Sequence, residues 1–103
     1  MKYKNVKTIL DGISFDSRKE SARYADLKLM QKAGEISDLT LQPKFDIVIN
    51  GVKVCSYVAD FSYIENGVKV VEDVKSEVTR KLPTYRLKNK LMRAVHGIAI
   101  REI

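Results

Sequence analysis

The stretch VADFSYIENGVKVVEDVK, residues 58–75, decides the fold around it. It contains two runs rich in β-branched and aromatic residues, separated by Asn66-Gly67, a dipeptide that favours a two-residue type I′ hairpin turn. Such a turn pairs the residues on either side of it, and counting outward sets Asp60 opposite Asp73. The sequence therefore predicts two carboxylates on one face of a hairpin, with their Cβ atoms roughly 4.5–5.5 Å apart.

Lys75 belongs to the same face, because it lies two residues beyond Asp73 and strand side chains alternate. Two like charges that face each other in a sheet are destabilising unless something neutralises them. A divalent cation such as Mg²⁺ does so, since it takes hard oxygen ligands and also reaches phosphate oxygens. An adjacent lysine is suited to orient a water or to stabilise charge on a phosphate. The pattern indicates metal-dependent hydrolysis of a phosphodiester.

A helix is predicted upstream of this hairpin. Ser17 and Glu20 have the spacing of a capping box, in which Ser17 caps the helix and Glu20 is its third residue. The helix is expected to end near Ala33, because Gly34 suits the position after a helix. Its apolar stripe comprises Tyr24, Leu27 and Met30.

Strands are expected over residues 39–49 and 52–64, joined by a second tight turn at Asn50-Gly51, and over 68–75. A second helix should start at Pro83 and end near His96-Gly97, followed by a short strand over 98–103. Its predicted buried stripe is Leu87, Leu91, Ala94 and Val95. The order α-β-β-β-α-β predicts a single α/β domain over residues 1–103, in which helices flank a mixed sheet.

Composition narrows the class of protein. With 103 residues there is room for one core. No apolar run is long enough to span a bilayer, and the first residues do not resemble a signal peptide. Cys55 is the single cysteine, so an internal disulfide and a four-cysteine zinc site are excluded. We therefore expect a reducing, cytoplasmic setting.

The charge balance points to a phosphate-bearing partner. Lysine and arginine number 19 against 13 acids, a net charge of +6 with a pI near 9.5. Residues 1–15 are expected to form an extended basic arm, with Lys2, Lys4 and Lys7 and a turn at Asp11-Gly12. Between Arg80 and Arg93 there is no acid, which favours a DNA-binding surface over an ordinary solvated face. The predicted DNA contacts are Arg80, Lys81, Tyr85, Arg86, Lys88, Lys90 and Arg93, with Tyr85 and Arg86 the nearest.

The segments 57–61 and 70–75 resemble the PD-(D/E)XK nuclease signature, in which an acid on one strand is followed by D/E-x-K on the next. The wider chain resembles a family of small phage and prophage proteins placed in that superfamily. Matching segments include DGISFDSRKE (11–20), LQPKF (41–45) and YRLKNKL (85–91). The resemblance extends over nearly the whole chain and implies a restriction-endonuclease-like core.

The resemblance also implies roles for the site. Asp60 and Asp73 would bind Mg²⁺, with Mn²⁺ able to substitute, and Lys75 would assist the nucleophilic water. Glu20 would be a further metal ligand, although its capping-box position explains it equally well. Ala59 stands where the signature has proline. Glu72 is an alternative to Asp73 as the acid of the D/E-x-K element. Strand alternation favours Asp73, because Glu72 points to the other face.

The expected function is therefore that of a metal-dependent DNA endonuclease. The chain has no additional domain for reading bases, so selectivity for branched DNA such as Holliday junctions, in phage recombination or replication, is expected. Resolution of a junction needs two symmetric cuts, which suggests a homodimer. The alternative is an accessory protein that binds nucleic acid and keeps the fold without turnover, and a third reading is a small basic interaction protein.

Overall fold

The computed structural model describes residues 7–103, which form both strands and helices. The strands are β1 (Thr8–Leu10), β2 (Ile13–Phe15), β3 (Ser37–Leu41), β4 (Lys44–Ile49), β5 (Val52–Val58), β6 (Phe61–Glu65), β7 (Val68–Asp73) and β8 (Arg101–Glu102). The helices are α1 (Arg18–Lys32), α2 (Glu77–Arg80) and α3 (Pro83–Leu91), and α3 continues as a π-helical turn over Met92–His96.

The central sheet is mixed, as predicted. Its strand order is β3-β6-β7-β8, in which only β7 and β8 run parallel. The connection between these two parallel strands contains α2 and α3, as parallel pairing requires a crossover. Two hairpins, β1-β2 and β4-β5, complete the α/β domain.

The hairpin that carries the predicted acids has the expected register. Asn66 and Gly67 both have positive φ, at 52° and 76°, the conformation of a type I′ turn. Phe61 pairs with Glu72 and Glu65 with Val68, so the next position outward brings Asp60 to Asp73. The register prediction is confirmed.

The two long strands expected over 39–49 and 52–64 are each broken in two. Gln42 adopts a φ of 50° and is followed by Pro43, which cannot donate to a strand ladder. The Gln42 amide donates to the Asp60 carbonyl at 2.9 Å, and the Ala59 amide donates to the Pro43 carbonyl at 3.1 Å. The two strands therefore change direction together, and Asp60 lies at the corner between β5 and β6.

Buried side chains fill both faces of β6 and β7. On the face of α1, the core comprises Phe15, Tyr24, Leu27, Ile36, Phe61 and Tyr63. On the face of α3, it comprises Ile47, Tyr57, Ala59, Val71, Tyr85 and Met92. The alternation of Phe61 and Tyr63 with Val71 across the strand pair produces a layered arrangement, with helices on both sides of the sheet.

The buried face of the second helix differs from the prediction. Leu87 is 58% exposed and Ala94 is also exposed, whereas Tyr85 and Met92 are buried. Tyr85 and Met92 are seven residues apart and so lie on one side of the helix. Leu91 and Val95 of the predicted stripe are partly buried and pack against the same core as Val71. The prediction is therefore confirmed for these two residues and wrong for Leu87 and Ala94.

The first helix begins and ends as expected. The Ser17 hydroxyl accepts the Glu20 amide at 3.1 Å. At the other end, the amides of Gly34 and Glu35 donate to the carbonyls of Gln31 and Met30, which is a Schellman motif. Gly34 has the left-handed conformation that this motif requires.

Only residues 7–15 of the expected extended arm are described, and over them the prediction is wrong, because β1 and β2 form a hairpin that packs Phe15 into the core. The predicted turn at Asp11-Gly12 is confirmed. The strand pair forms because Leu10, Ile13 and Phe15 gain burial against α1. Lys2 and Lys4 lie outside the described residues. No helix within residues 7–103 is long and apolar enough to cross a membrane.

Candidate functional site

A cavity of about 500 Å³ opens where β6 begins, β7 ends and α1 starts. Glu20, Asp60 and Lys75, three of the four residues that the sequence predicts for the site, line it. The other lining residues are Asp16, Ser17, Lys19, Val74, Ser76, Val78 and Thr79. The fold thus brings acids from α1 and from the β5-β6 corner to the end of β7.

Asp60 and Asp73 hold each other in place through backbone amides. The Asp60 amide donates to Asp73 Oδ1 at 2.9 Å, and the Val74 amide donates to Asp60 Oδ2 at 2.7 Å. Each carboxylate therefore has one oxygen fixed by the neighbouring strand end and one oxygen left over. Asp60 lies at the corner between β5 and β6, where its amide also donates to the Glu72 carbonyl at 3.2 Å.

Asp73 is fully buried, and its second oxygen is an orphan. No hydrogen-bond partner of Asp73 Oδ2 is found among the described residues. Burial raises the pKa of Asp73 to about 6, although the positive charge of Lys75 acts in the opposite direction. A buried polar atom without a partner costs free energy, so this oxygen favours a ligand that supplies positive charge or a hydrogen-bond donor.

Glu20 faces the same acids from the first turn of α1. It is 9% exposed, and burial together with the charges of Asp60 and Asp16 raises its pKa to about 7. Its amide completes the Ser17 cap, while its side chain belongs to the cavity lining. The Ser17 cap therefore uses only the backbone of Glu20, and the Glu20 carboxyl is left for the cavity.

Asp16 is a cavity residue that the sequence analysis missed. It immediately precedes the N-cap Ser17, so the start of α1 contributes two acids to the cavity. The sequence did contain a signal for Asp16, because it is next to the start of the helix that carries Glu20. Burial also raises the pKa of Asp60, and the charge of Asp16 adds to that effect.

Lys75 is placed between the acids and α3. Its Nζ lies 3.9 Å from Asp73 Oδ1 and 5.2 Å from the centre of the Tyr85 ring. The ring face attracts the ammonium group, which adds to the attraction of the carboxylate. The predicted parity is therefore confirmed, and Lys75 is a positioned cation with a side chain 21% exposed.

Glu72 is directed to the opposite face of β7, as strand alternation predicted. Its carboxylate accepts hydrogen bonds from Arg23 at 2.9 and 2.6 Å and one from the Tyr63 hydroxyl. Arg101 donates in turn to the Tyr63 hydroxyl at 3.1 Å. Glu72 is thus neutralised within the protein, whereas the orphan oxygen of Asp73 is not.

The predicted basic surface is only partly exposed. Lys81, Arg86, Lys90 and Arg93 are exposed, whereas Arg80 and Lys88 are half-buried. Tyr85 is 8% exposed and donates from its hydroxyl to Glu102 at 2.6 Å. The expectation that Tyr85 reaches outward is corrected: its ring packs into the core beneath Lys75.

The donor set of the cavity fits a hard divalent cation in its chemistry. Glu20 and Asp60 line the cavity, whereas Asp73 is buried and does not line it. The oxygens left over on Asp60 and Asp73, together with the Glu20 carboxyl, are of the kind that Mg²⁺ prefers. Among the residues from 7 to 103, no three histidine, cysteine, aspartate or glutamate side chains are grouped closely enough to hold a metal as they stand. The orphan Asp73 Oδ2 is the observation that supports the fit.

Comparison with known proteins identifies a family. No match to the chain is found among curated proteins or among solved structures. A family model described as "Protein of unknown function (DUF1064)" matches residues 1–98, which include every residue of the cavity. The chain therefore belongs to the DUF1064 family.

Proposed function

We propose that this protein is a metal-dependent DNA endonuclease of the PD-(D/E)XK type, with the restriction-endonuclease-like topology that the resemblance implies. The observation that carries the proposal is the interlocked pair of Asp60 and Asp73. Asp73 has an orphan oxygen, Oδ2, and its other oxygen lies 3.9 Å from Lys75 Nζ. Acids brought together by burial need a neutralising partner. A divalent cation that also binds a phosphate meets that need.

Each predicted site residue has its own proposed role in metal binding or in catalysis. Asp60 and Asp73 would hold Mg²⁺, or Mn²⁺ in its place, with Glu20 as a further ligand once it has lost its proton. The metal supplies charge neutralisation for a phosphodiester under attack by water. Lys75 orients the water or stabilises the developing negative charge, since its Nζ is held near Asp73 and over the Tyr85 ring.

We infer branched DNA, such as a Holliday junction in phage recombination or replication, as the substrate, in a cytoplasmic setting. The excess of basic residues between Arg80 and Arg93 would follow phosphates, which positions DNA without reading its sequence. A homodimer would place two such cavities for paired cuts.

The test is incubation with labelled four-way junction, flap, single-stranded and duplex DNA, with Mg²⁺ or Mn²⁺. We expect cleavage of branched DNA, and a loss of at least a hundredfold in Asp73→Asn, which removes one charged oxygen ligand. The matched control is Asp26→Asn, which changes an exposed acid of α1 outside the cavity and should keep wild-type cleavage. Undiminished cutting by Asp73→Asn would contradict the mechanism.

A second candidate function is that of a non-catalytic accessory protein that binds DNA. The exposed cations Lys81, Arg86, Lys90 and Arg93 support it, because they can contact phosphates without a metal. It predicts tight binding to branched DNA with no cutting under any metal, and no effect of Asp73→Asn on that binding. The same panel of substrates therefore separates the two functions.

A further inference from the structure

A second cavity, of about 270 Å³, is lined in part by Tyr85, whose ring also contacts Lys75. Its lining consists of Arg80, Tyr85, Arg86, Asn89, Lys90 and Glu102. Three of these side chains are cationic and one is acidic. The cavity therefore brings positive charge together just as the first cavity brings negative charge together.

These cations have no anionic partner within the part of the chain that the structure describes. None of Arg80, Arg86 and Lys90 is within 4.0 Å of an acidic oxygen there. The Arg80 Nε is buried and has no hydrogen-bond partner among the described residues. A buried guanidinium donor without an acceptor is costly, so the site favours an incoming oxygen anion.

The acid in the cavity is already engaged. Glu102 Oε2 accepts the Tyr85 hydroxyl at 2.6 Å, and Asn89 Nδ2 donates to the same hydroxyl at 3.3 Å. This chain of hydrogen bonds fixes Glu102 at the edge where β8 meets β7. Glu102 thus closes one side of the cavity and leaves the three cations for an anion.

We propose that this second cavity binds one phosphate of the DNA backbone, flanking the phosphate that is cleaved beside Lys75. The inference rests on the proposed function for the identity of its occupant. Tyr85 links the two positions, because its ring lies under Lys75 and its hydroxyl belongs to the second cavity. One strand passing over Tyr85 would place one phosphate at each cavity, a contact that positions DNA without reading bases.

The first experiment measures DNA binding in EDTA, where no cutting occurs, as a function of salt. Removing a cation that contacts a phosphate lowers the slope of log K against log salt by about 1. We expect a decrease of about 2 for the double variant Arg86→Gln/Lys90→Gln, both of whose sites are exposed, so that folding is not at risk. Lys32→Gln, an exposed lysine in the last turn of α1, is the matched control and should leave the slope unchanged.

Glu102→Gln provides a test of opposite sign. The amide keeps an oxygen for the Tyr85 hydroxyl but removes the negative charge, so DNA binding should tighten by about two- to fivefold. A purely structural role for this cluster predicts no tightening. Weaker binding by Glu102→Gln, or an unchanged salt slope in the double variant, would overturn the proposal.

Inorganic phosphate is the direct probe of the cavity. On titration, the NMR resonance of Arg80 Nε–H should shift in the wild type and should stay in place in Arg86→Gln/Lys90→Gln. A phosphate-dependent shift without any change in the salt slope of DNA binding would mean an adventitious ion only and would also overturn the proposal.

The outcomes separate this inference from the proposed function. A normal salt-slope effect with no cleavage of any DNA would remove the endonuclease and leave the phosphate site standing. Cleavage that disappears in Asp73→Asn, together with an unchanged salt slope in the double variant, would support the endonuclease and overturn the phosphate site.

Discussion

At the scale of single residues, two acids of the candidate site have pKa values raised by burial. Glu20 reaches about 7 and Asp73 about 6, from ordinary values near 4. At a pH between the unfolded and the folded pKa of each acid, the folded protein binds more protons than the unfolded chain. Its stability is therefore greatest below the unfolded pKa and falls as the pH rises through the folded pKa.

The pH dependence of Glu20→Gln tests this account. The wild type should lose stability between pH 5 and pH 8, and the variant should lose about 1–2 kcal/mol less once solvent screening reduces the full value. Urea denaturation at each pH measures the free energies of unfolding. Glu35→Gln, an exposed acid beyond α1, should keep the wild-type slope, and an equal slope in Glu20→Gln would contradict the assignment.

The sequence predicts some of these residues and misses others for definable reasons. Asp60, Asp73 and Lys75 follow from a turn that fixes register, so their proximity could be derived by counting. The inward position of Tyr85 could not be derived, because the apolar residues of the second helix allow two faces and packing against Val71 selects one. Asp16 was missed because an acid near a helix N-terminus is already explained by its favourable interaction with the helix dipole.

At the scale of elements, the Asn66-Gly67 turn sets the relation between the two strands that carry the acids. Gly67 has a φ of 76°, and a Cβ added there would meet nothing within 4 Å. The need for glycine is therefore one of backbone conformation rather than of space.

Gly67→Ala should destabilise the protein by about 1 kcal/mol, because a side chain in the left-handed region is strained. Gly51→Ala, in the equivalent turn of β4-β5, should cost a similar amount, since Gly51 also has open space and a φ of 78°. Urea denaturation measures both. Lys32→Ala, an exposed helical change, should stay within about 0.5 kcal/mol, and a loss of that small size in Gly67→Ala would refute the strain argument.

The broken strands show what element prediction lacks. Alternation of apolar residues extends through 39–49 and 52–64, so each segment reads as one strand. Pro43 indicates a break in the first segment, but no residue of the segment 52–64 predicts the matching break at Asp60. That break follows from pairing, since the Gln42 amide and the Pro43 carbonyl engage the residues opposite them.

At the scale of the whole molecule, the α/β class, the mixed sheet and the helices on both faces were predictable from the order of elements. The β1-β2 hairpin was not, because its strands of three residues each are shorter than alternation can reveal. Its formation depends on contacts with α1, which exist only in the folded chain.

A metal that binds the first cavity should stabilise the whole fold. At pH 7.5, Mn²⁺ or Mg²⁺ at a hundred times its dissociation constant would add about 2.7 kcal/mol, and each kcal/mol raises the Tm by about 4–8 °C in a domain of this size. Thermal melts with and without metal measure the shift. At pH 5.5 it should be smaller, because Glu20 and Asp73 then hold protons that the metal must displace.

Asp73→Asn should abolish most of that shift, and Asp26→Asn should retain it. An equal metal-induced shift in wild type and Asp73→Asn would mean that the metal binds elsewhere.

The two consecutive buried acids of β7 have a consequence for how the chain folds. Glu72 is matched to Arg23 on one side of the sheet, while Asp73 faces the opposite side, near Lys75. A strand displaced by one residue would exchange these sides, so Glu72 would lose Arg23 at the same time as Asp73 lost the Asp60 amide. We therefore expect these two buried acids to favour the correct register of β7 during folding. A strand without buried charges would tolerate a shift of one residue more easily.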